Sequence, residues 1–179
     1  MATQKTLYIL RHAKTETGSL QQSDASRQLV ERGEKAAQIL GAYLFRHEIR
    51  PDKVICSDAV RTRQTLQQIE SVYPNKLNVE FSAKAYQASA NELICLLNTL
   101  PDPVKSVMIL AHNPGVHQLA LKFAHQGDEK LLDILHMKYP TCALATLSLG
   151  EVLWSDVGSA KGILTDLVTP QMLAGIGDD

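Results

Sequence analysis

Thr6-Leu7-Tyr8-Ile9-Leu10-Arg11-His12-Ala13-Lys14 is the stretch on which the reading of this chain turns. Residues of strong strand character pass without a break into an arginine, a histidine and a lysine, so a buried strand delivers polar side chains to the edge of a sheet. In open α/β sheets, ligands bind beyond such strand ends. Taken alone, an Arg-His strand end can equally serve loop carbonyls, because loops after strands are polar as a rule.

Two later segments repeat the pattern. Ile55-Cys56-Ser57-Asp58-Ala59-Val60-Arg61-Thr62-Arg63-Gln64-Thr65 runs from a strand into a helix start that carries arginines, and Met108-Ile109-Leu110-Ala111-His112-Asn113-Pro114-Gly115 runs from a strand into a second histidine. Arg63 lies two positions after Arg61 and points to another side of its helix, which leaves Arg61 as the pocket candidate. Arg11, His12, Arg61 and His112 together are an inventory for gripping and attacking a phosphoryl group.

The motifs "LRHAK", "SDAVRTRQT" and "LAHNPG", taken with "LVERG" at Leu29 to Gly33, "AYQAS" at Ala85 to Ser89 and "VTPQML" near the C-terminus, resemble the histidine phosphatase superfamily. Within it, the likeness is to the short SixA-like phosphohistidine phosphatases. The resemblance implies a phosphoglycerate mutase-like, three-layer α/β/α sandwich with a mostly parallel central sheet, which the alternation of strand and helix patterns also indicates. It implies His12 as nucleophile, Arg11, Arg61 and His112 as phosphate-binding and catalytic partners, and no metal or other cofactor.

Composition bounds the alternatives. The 179 residues are 45% hydrophobic and 21% charged, globular values, and no repeat or linker divides them, so one domain over 1–179 is expected. A net charge of -1 argues against nucleic acid as partner, and any positive field should be local to a pocket. No apolar run approaches the roughly 20 residues needed to span a bilayer, and the start lacks the apolar core of a secretory signal. Cys56, Cys95 and Cys142 are an odd count without a C-x-x-C pair, each in an apolar segment. A cytoplasmic location is expected.

Along the chain, Thr15 to Gln28 reads as a long polar loop, of the length that tends to be functional; Asp24 and Arg27 are placed in solvent there in preference to the pocket. Helices are expected from Val30 to about His47, from Ala59 to about Val72 with Ser57 or Asp58 as cap, after the capping box Ser89-Ala90-Asn91-Glu92, and from about Val116 to Ala124. Strands are expected at Lys53 to Cys56, Leu77 to Phe81, Val104 to Ala111 and Cys142 to Leu149, with Trp154 and Ile163 to Val168 completing or covering the sheet. His47, His117, His125 and His136 have no metal-ligand spacing and read as structural or surface residues.

These residues support a two-step transfer in which His12 attacks phosphorus and water opens the phosphohistidine formed. A backbone carbonyl would hold the other ring nitrogen as a donor. Arg11 and Arg61 would bind the phosphoryl oxygens, and His112, if cationic, would add a donor. One departure from the wider family bears on substrate. The segment Ser82-Ala83-Lys84-Ala85-Tyr86-Gln87 holds none of the acidic residues that mutases and many phosphomonoesterases carry there, and nothing brings Glu80 or Glu92 to the pocket. An alkoxide needs an acid to leave, whereas imidazole, with a conjugate acid near pKa 6.5, does not. The expected substrate is therefore a phosphorylated histidine of a signalling or phosphotransfer protein. The alternatives are a small-molecule phosphomonoesterase on the same scaffold and a module that binds phosphohistidine without cleaving it.

Overall fold

In a computed structural model, which describes residues 2–18, 22–74 and 76–175, seven strands form one sheet in the order β3-β2-β4-β1-β6-β7-β5. They are β1 (Thr3–Arg11), β2 (Lys53–Ser57), β3 (Val79–Ser82), β4 (Ser106–Ala111), β5 (Ala124–Gly127), β6 (Leu144–Val152) and β7 (Gly162–Val168). Only β6 runs against its neighbours, pairing antiparallel with both β1 and β7; the other pairings are parallel.

Six helices cover the two faces: α1 (Glu31–Arg46), α2 (Val60–Val72), α3 (Ala90–Leu97), α4 (Gly115–Phe123), α5 (Glu129–Met137) and the short α6 (Pro170–Leu173). The pleat explains why β4 is a continuous apolar run. Val107, Ile109 and Ala111 join Leu93, Leu97, Val116, Leu119 and Phe123 in one core, while Met108 and Leu110 join Ala37, Leu40, Leu44, Leu66 and Ile69 in the other. With no polar face to offer, such a strand is stable only between two helix layers. Leu110→Ala would cost about 2–5 kcal/mol. The fold is thus the expected α/β/α sandwich.

Three expectations need correcting. Cys142 is no strand residue: its φ is 62°, its N–H donates to the carbonyls of Arg11 and His12, and the strand begins two residues later. Neither Ser57 nor Asp58 is the N-cap of α2; Ala59 occupies that position, and the Ser57 hydroxyl turns to His112 instead. The strand β5 and helix α5, with its Asp128 cap, were not anticipated, because His125 and Gln126 lack strand character and β5 is only four residues long. Asn75, in the link between α2 and β3, and residues 19–21 of the long loop lie outside the described residues. No helix among the described residues is long and apolar enough to cross a membrane.

Candidate active site

The sheet order puts β2, β4 and β1 side by side and parallel, so their C-terminal ends share one edge. Arg11 pairs with Ala111 across the ladder, and the His12 N–H donates to the Ala111 carbonyl at 3.2 Å. His12 and His112 consequently leave the sheet at the same level, with ring centroids 5.3 Å apart. Helix α2 starts beside them and is tied to the end of β1, because Thr65 Oγ1 accepts the Ala13 N–H at 2.9 Å and donates to the Arg61 carbonyl at 2.7 Å. Arg61 is thereby carried, 4% exposed, into the space in front of both histidines.

Two close approaches complete the frame. A Cβ on Gly33 would stand 2.1 Å from the Lys14 carbonyl oxygen, and one on Gly115 would stand 1.9 Å from the carbonyl oxygen of Ala88. Only glycine lets α1 press on the loop after β1 and lets α4 press on the Tyr86–Ser89 loop. The second contact brings the Tyr86 ring edge-on to His112 at 5.4 Å.

His12 is 8% exposed, and its Nδ1 lies 2.8 Å from the Ala13 carbonyl oxygen. A carbonyl can only accept, so the proton is on Nδ1 and Nε2 keeps its lone pair. Burial lowers the pKa of this imidazole to about 4, with help from the charges of Arg61, Arg11 and Arg27, against the pull of the Ala13 carbonyl. The ring is neutral at pH 7.

His112 is held in the opposite tautomer. Arg61 Nε, which can only donate, lies 3.2 Å from His112 Nδ1, so the proton is on Nε2 and is donated to Ser57 Oγ at 2.7 Å. Burial and the guanidinium of Arg61 lower the pKa to about 3. The cationic His112 considered from sequence is not what this environment holds: a buried imidazole that accepts from a guanidinium cannot also take a proton there.

Asp24 and Arg27 are not in a solvated loop. Asp24 Oδ2 accepts from Arg61 Nη2 at 2.8 Å, from the Tyr86 hydroxyl at 2.8 Å and from Gln87 Nε2 at 3.2 Å, while Oδ1 accepts from Arg27 Nη1 at 3.1 Å. Arg61 Nη1 also donates to the Asp24 carbonyl at 2.5 Å. Burial pushes the Asp24 pKa up, but the hydrogen bonds from Tyr86, Arg27 and Arg61 outweigh it and hold the carboxyl well below the usual range. The preference for solvent is thus overturned, because Asp24 meets partners 37 and 62 positions away that no local pattern names. Tyr86 was missed for the same reason.

Arg11 donates through Nη1 to the Tyr139 carbonyl at 2.8 Å, an oxygen shared with Asn113 Nδ2 at 3.0 Å. Among the described residues, the buried Arg11 Nε has no acceptor and Asn113 Oδ1 no donor. Arg63 points away, stacking on Phe81 at 3.9 Å and donating to the Asp58 carbonyl. Glu80 pairs with Lys53, and Glu92 closes the capping box with Ser89. His117 contacts the Leu135 carbonyl and stacks on Tyr139, His47 packs on Tyr43, and His125 and His136 are exposed. All three cysteines are free; Cys56 and Cys142 are buried, which pushes both thiols up to about 12, and Cys95 is exposed. Among the described residues, no three His, Cys, Asp or Glu side chains are grouped to hold a metal ion.

Residues 7–83 match the model of the histidine phosphatase superfamily, branch 1. The solved structure of a candidate phosphohistidine phosphatase SixA from Agrobacterium tumefaciens superposes with a TM-score of 0.77 at 27% identity, over 94% of this chain and all of that one. That of a candidate SixA from Nakamurella multipartitia gives the same score at 25% identity, over 94% and 98%. An uncharacterised Mycobacterium tuberculosis protein is 27% identical over 151 residues, 83% of this chain and 92% of its own. A matching family model that takes in Arg11, His12 and Arg61, and a fold shared over 94% of the chain, point the same way: the chain resembles the histidine phosphatase superfamily and is SixA-like.

Proposed function

We propose that the protein hydrolyses phosphohistidine on another protein, through a covalent intermediate on its own His12 and without a metal. The observation that carries this is the neutral His12 ring, its proton fixed on Nδ1 by the Ala13 carbonyl and its Nε2 lone pair left free beside two arginines. Nε2 attacks phosphorus, the P–N bond to the substrate imidazole breaks, and the phosphoryl group passes to His12; water then attacks the same phosphorus and releases inorganic phosphate. Arg11 offers the phosphoryl oxygens its unpartnered Nε, a donor buried without an acceptor. Arg61 offers the terminal N–H groups that Asp24 leaves unused. His112, being neutral, serves by orienting Arg61 through Nδ1.

The leaving group follows from the acids at hand. Asp24 is the carboxylate that reaches this cluster, and its partners keep it ionised, so it has no proton to give at neutral pH. A site without a proton donor is matched to imidazole and mismatched to an alkoxide. The SixA names of the structural relatives point to the same substrate class.

The test is to incubate the protein, and His12→Ala, with a phosphohistidine-bearing phosphotransfer domain and with a generic aryl phosphate. Faster clearance of phosphohistidine and an inactive variant are expected. A His12→Ala protein that keeps more than about a tenth of the activity would remove the role given to that residue, and preference for the aryl phosphate would make this a general phosphomonoesterase.

A further inference from the structure

Beside the reaction site a groove runs along α1 toward α6. Its first part, about 370 Å³, is lined by Lys14, Arg32 and Lys138 together with apolar side chains such as Ile134, Met137 and Pro140, and, among the described residues, by no carboxylate. It continues past Ala36 and Pro170 into a second part of about 550 Å³ next to Lys35 and Ile39, where Glu31, the one acid among the described lining residues, is already paired with Lys35 at 2.6 Å. The groove abuts the site at both of its inner corners. Lys14 is two residues beyond His12, and Lys138 precedes Tyr139, whose carbonyl holds Arg11 and Asn113.

Two features mark this surface as built for a partner. Lys14, Arg32 and Lys138 are exposed and form no ion pair among the described residues, in a chain whose formal net charge is -1. A positive field is therefore concentrated here and at the adjoining arginines, where it steers acidic surfaces toward the pocket. Between the cations lies Met137, 81% exposed at the end of α5, a large flexible apolar side chain of the kind that adapts to a bound surface.

We propose that this groove docks the substrate protein, through an acidic amphipathic segment adjoining its phosphorylated histidine. Carboxylates of that segment pair with Lys14, Arg32 and Lys138, and its apolar side chains cover Met137 and Ile134. The inference rests on the phosphohistidine reading above and adds the surface that selects which protein presents it. The pairs are at a rim, so they act on association and on salt dependence more than on chemistry.

The experiment compares the intact protein with Arg32→Glu/Lys138→Glu and, separately, Met137→Asp, on two substrates with the same leaving group: a phosphohistidine-bearing photransfer-type protein domain and the small molecule N-phosphoimidazole. For the protein substrate kcat/KM should fall at least tenfold, through KM, and lose most of its dependence on salt. For N-phosphoimidazole it should stay within twofold of wild type, which also shows that the variants fold. Equal loss on both substrates, or no loss on the protein, overturns the docking surface. If the wild-type protein hydrolyses neither substrate, the phosphohistidine reading fails and the docking surface with it. Concentration-dependent self-association that Met137→Asp abolishes would make a second copy of this chain the occupant and overturn the proposal.

Discussion

Arg61 Nε donates to His112 Nδ1 at 3.2 Å while its two terminal nitrogens donate to the backbone and side chain of Asp24. One guanidinium thus fixes the tautomer of a buried histidine and anchors a loop from far away in sequence. Asp24 takes one N–H from each terminal nitrogen and leaves the others for a phosphoryl group, so the negative charges of loop and ligand compete for one cation.

That competition predicts the effect of Asp24→Asn. The amide keeps the shape and one acceptor oxygen but removes the negative charge beside Arg61, and relief of one unit of repulsion at a partly exposed site is worth about 1.4 kcal/mol, or tenfold in affinity. Inorganic phosphate should therefore inhibit the variant at about one tenth of the concentration. Weaker inhibition would show that Asp24 chiefly holds Arg61 in place.

The environment of His12 sets the pH at which activity is lost in acid. With its pKa lowered to about 4, the ring stays neutral far below the 6.5 of free histidine, so the acid limb of kcat/KM should lie near pH 4. Burial is the main cause and the charge of Arg11 a smaller one, so Arg11→Gln should move the limb upward as well as lowering the rate. A limb near 6.5 in the wild-type profile would contradict the burial of this ring.

The same shifts make stability depend on pH, with a definite sign. Both histidines have folded pKa values, about 4 and about 3, below the unfolded 6.5, so the unfolded chain takes up protons first as pH falls. Stability is complete above pH 6.5 and declines as pH falls toward 4. At pH 5 each ring costs on the order of 2 kcal/mol, the product of 1.5 pH units and 1.36 kcal/mol per unit. Urea unfolding at pH 7 and pH 5 measures the difference, and His112→Gln should remove part of that slope; an unchanged slope would exclude His112 as a source of it.

Gly115→Ala tests the packing that delivers Tyr86. The added methyl would meet the Ala88 carbonyl oxygen at 1.9 Å, backbone against backbone, so the Tyr86–Ser89 loop must move. A loss of about 1–3 kcal/mol in denaturant unfolding is expected, together with a larger loss of activity than Ala120→Gly on the same helix produces. A variant of wild-type stability would mean that this loop yields freely.

Local patterning alone specifies the central strands and the polar residues at their ends. Leu7 to Leu10 and Val107 to Ala111 are apolar on both faces, a pattern that burial between two helix layers accounts for, and parallel strands must finish on a common edge. Strand order, which the structure supplies, then sets β4 beside β1 and brings Arg11, His12 and His112 to one place. Of the short elements, β5 is held by its pairing with β7, which no local pattern announces, whereas α5 does carry a local signal in its Asp128 cap and in Leu131, Leu132 and Leu135 at helical spacing. The charge states and partners at the site were decided by tertiary structure. Ser57 is not the α2 cap, its hydroxyl facing His112 at 2.7 Å; His112 is neutral because Arg61 faces it; and Asp24, its side chain still 40% exposed, turns from solvent toward Arg61 and Tyr86, which are distant in sequence. Apolar patterning is written along the chain, whereas strand pairing, protonation and ion pairing answer to neighbours in space, and only the folded molecule says who those are.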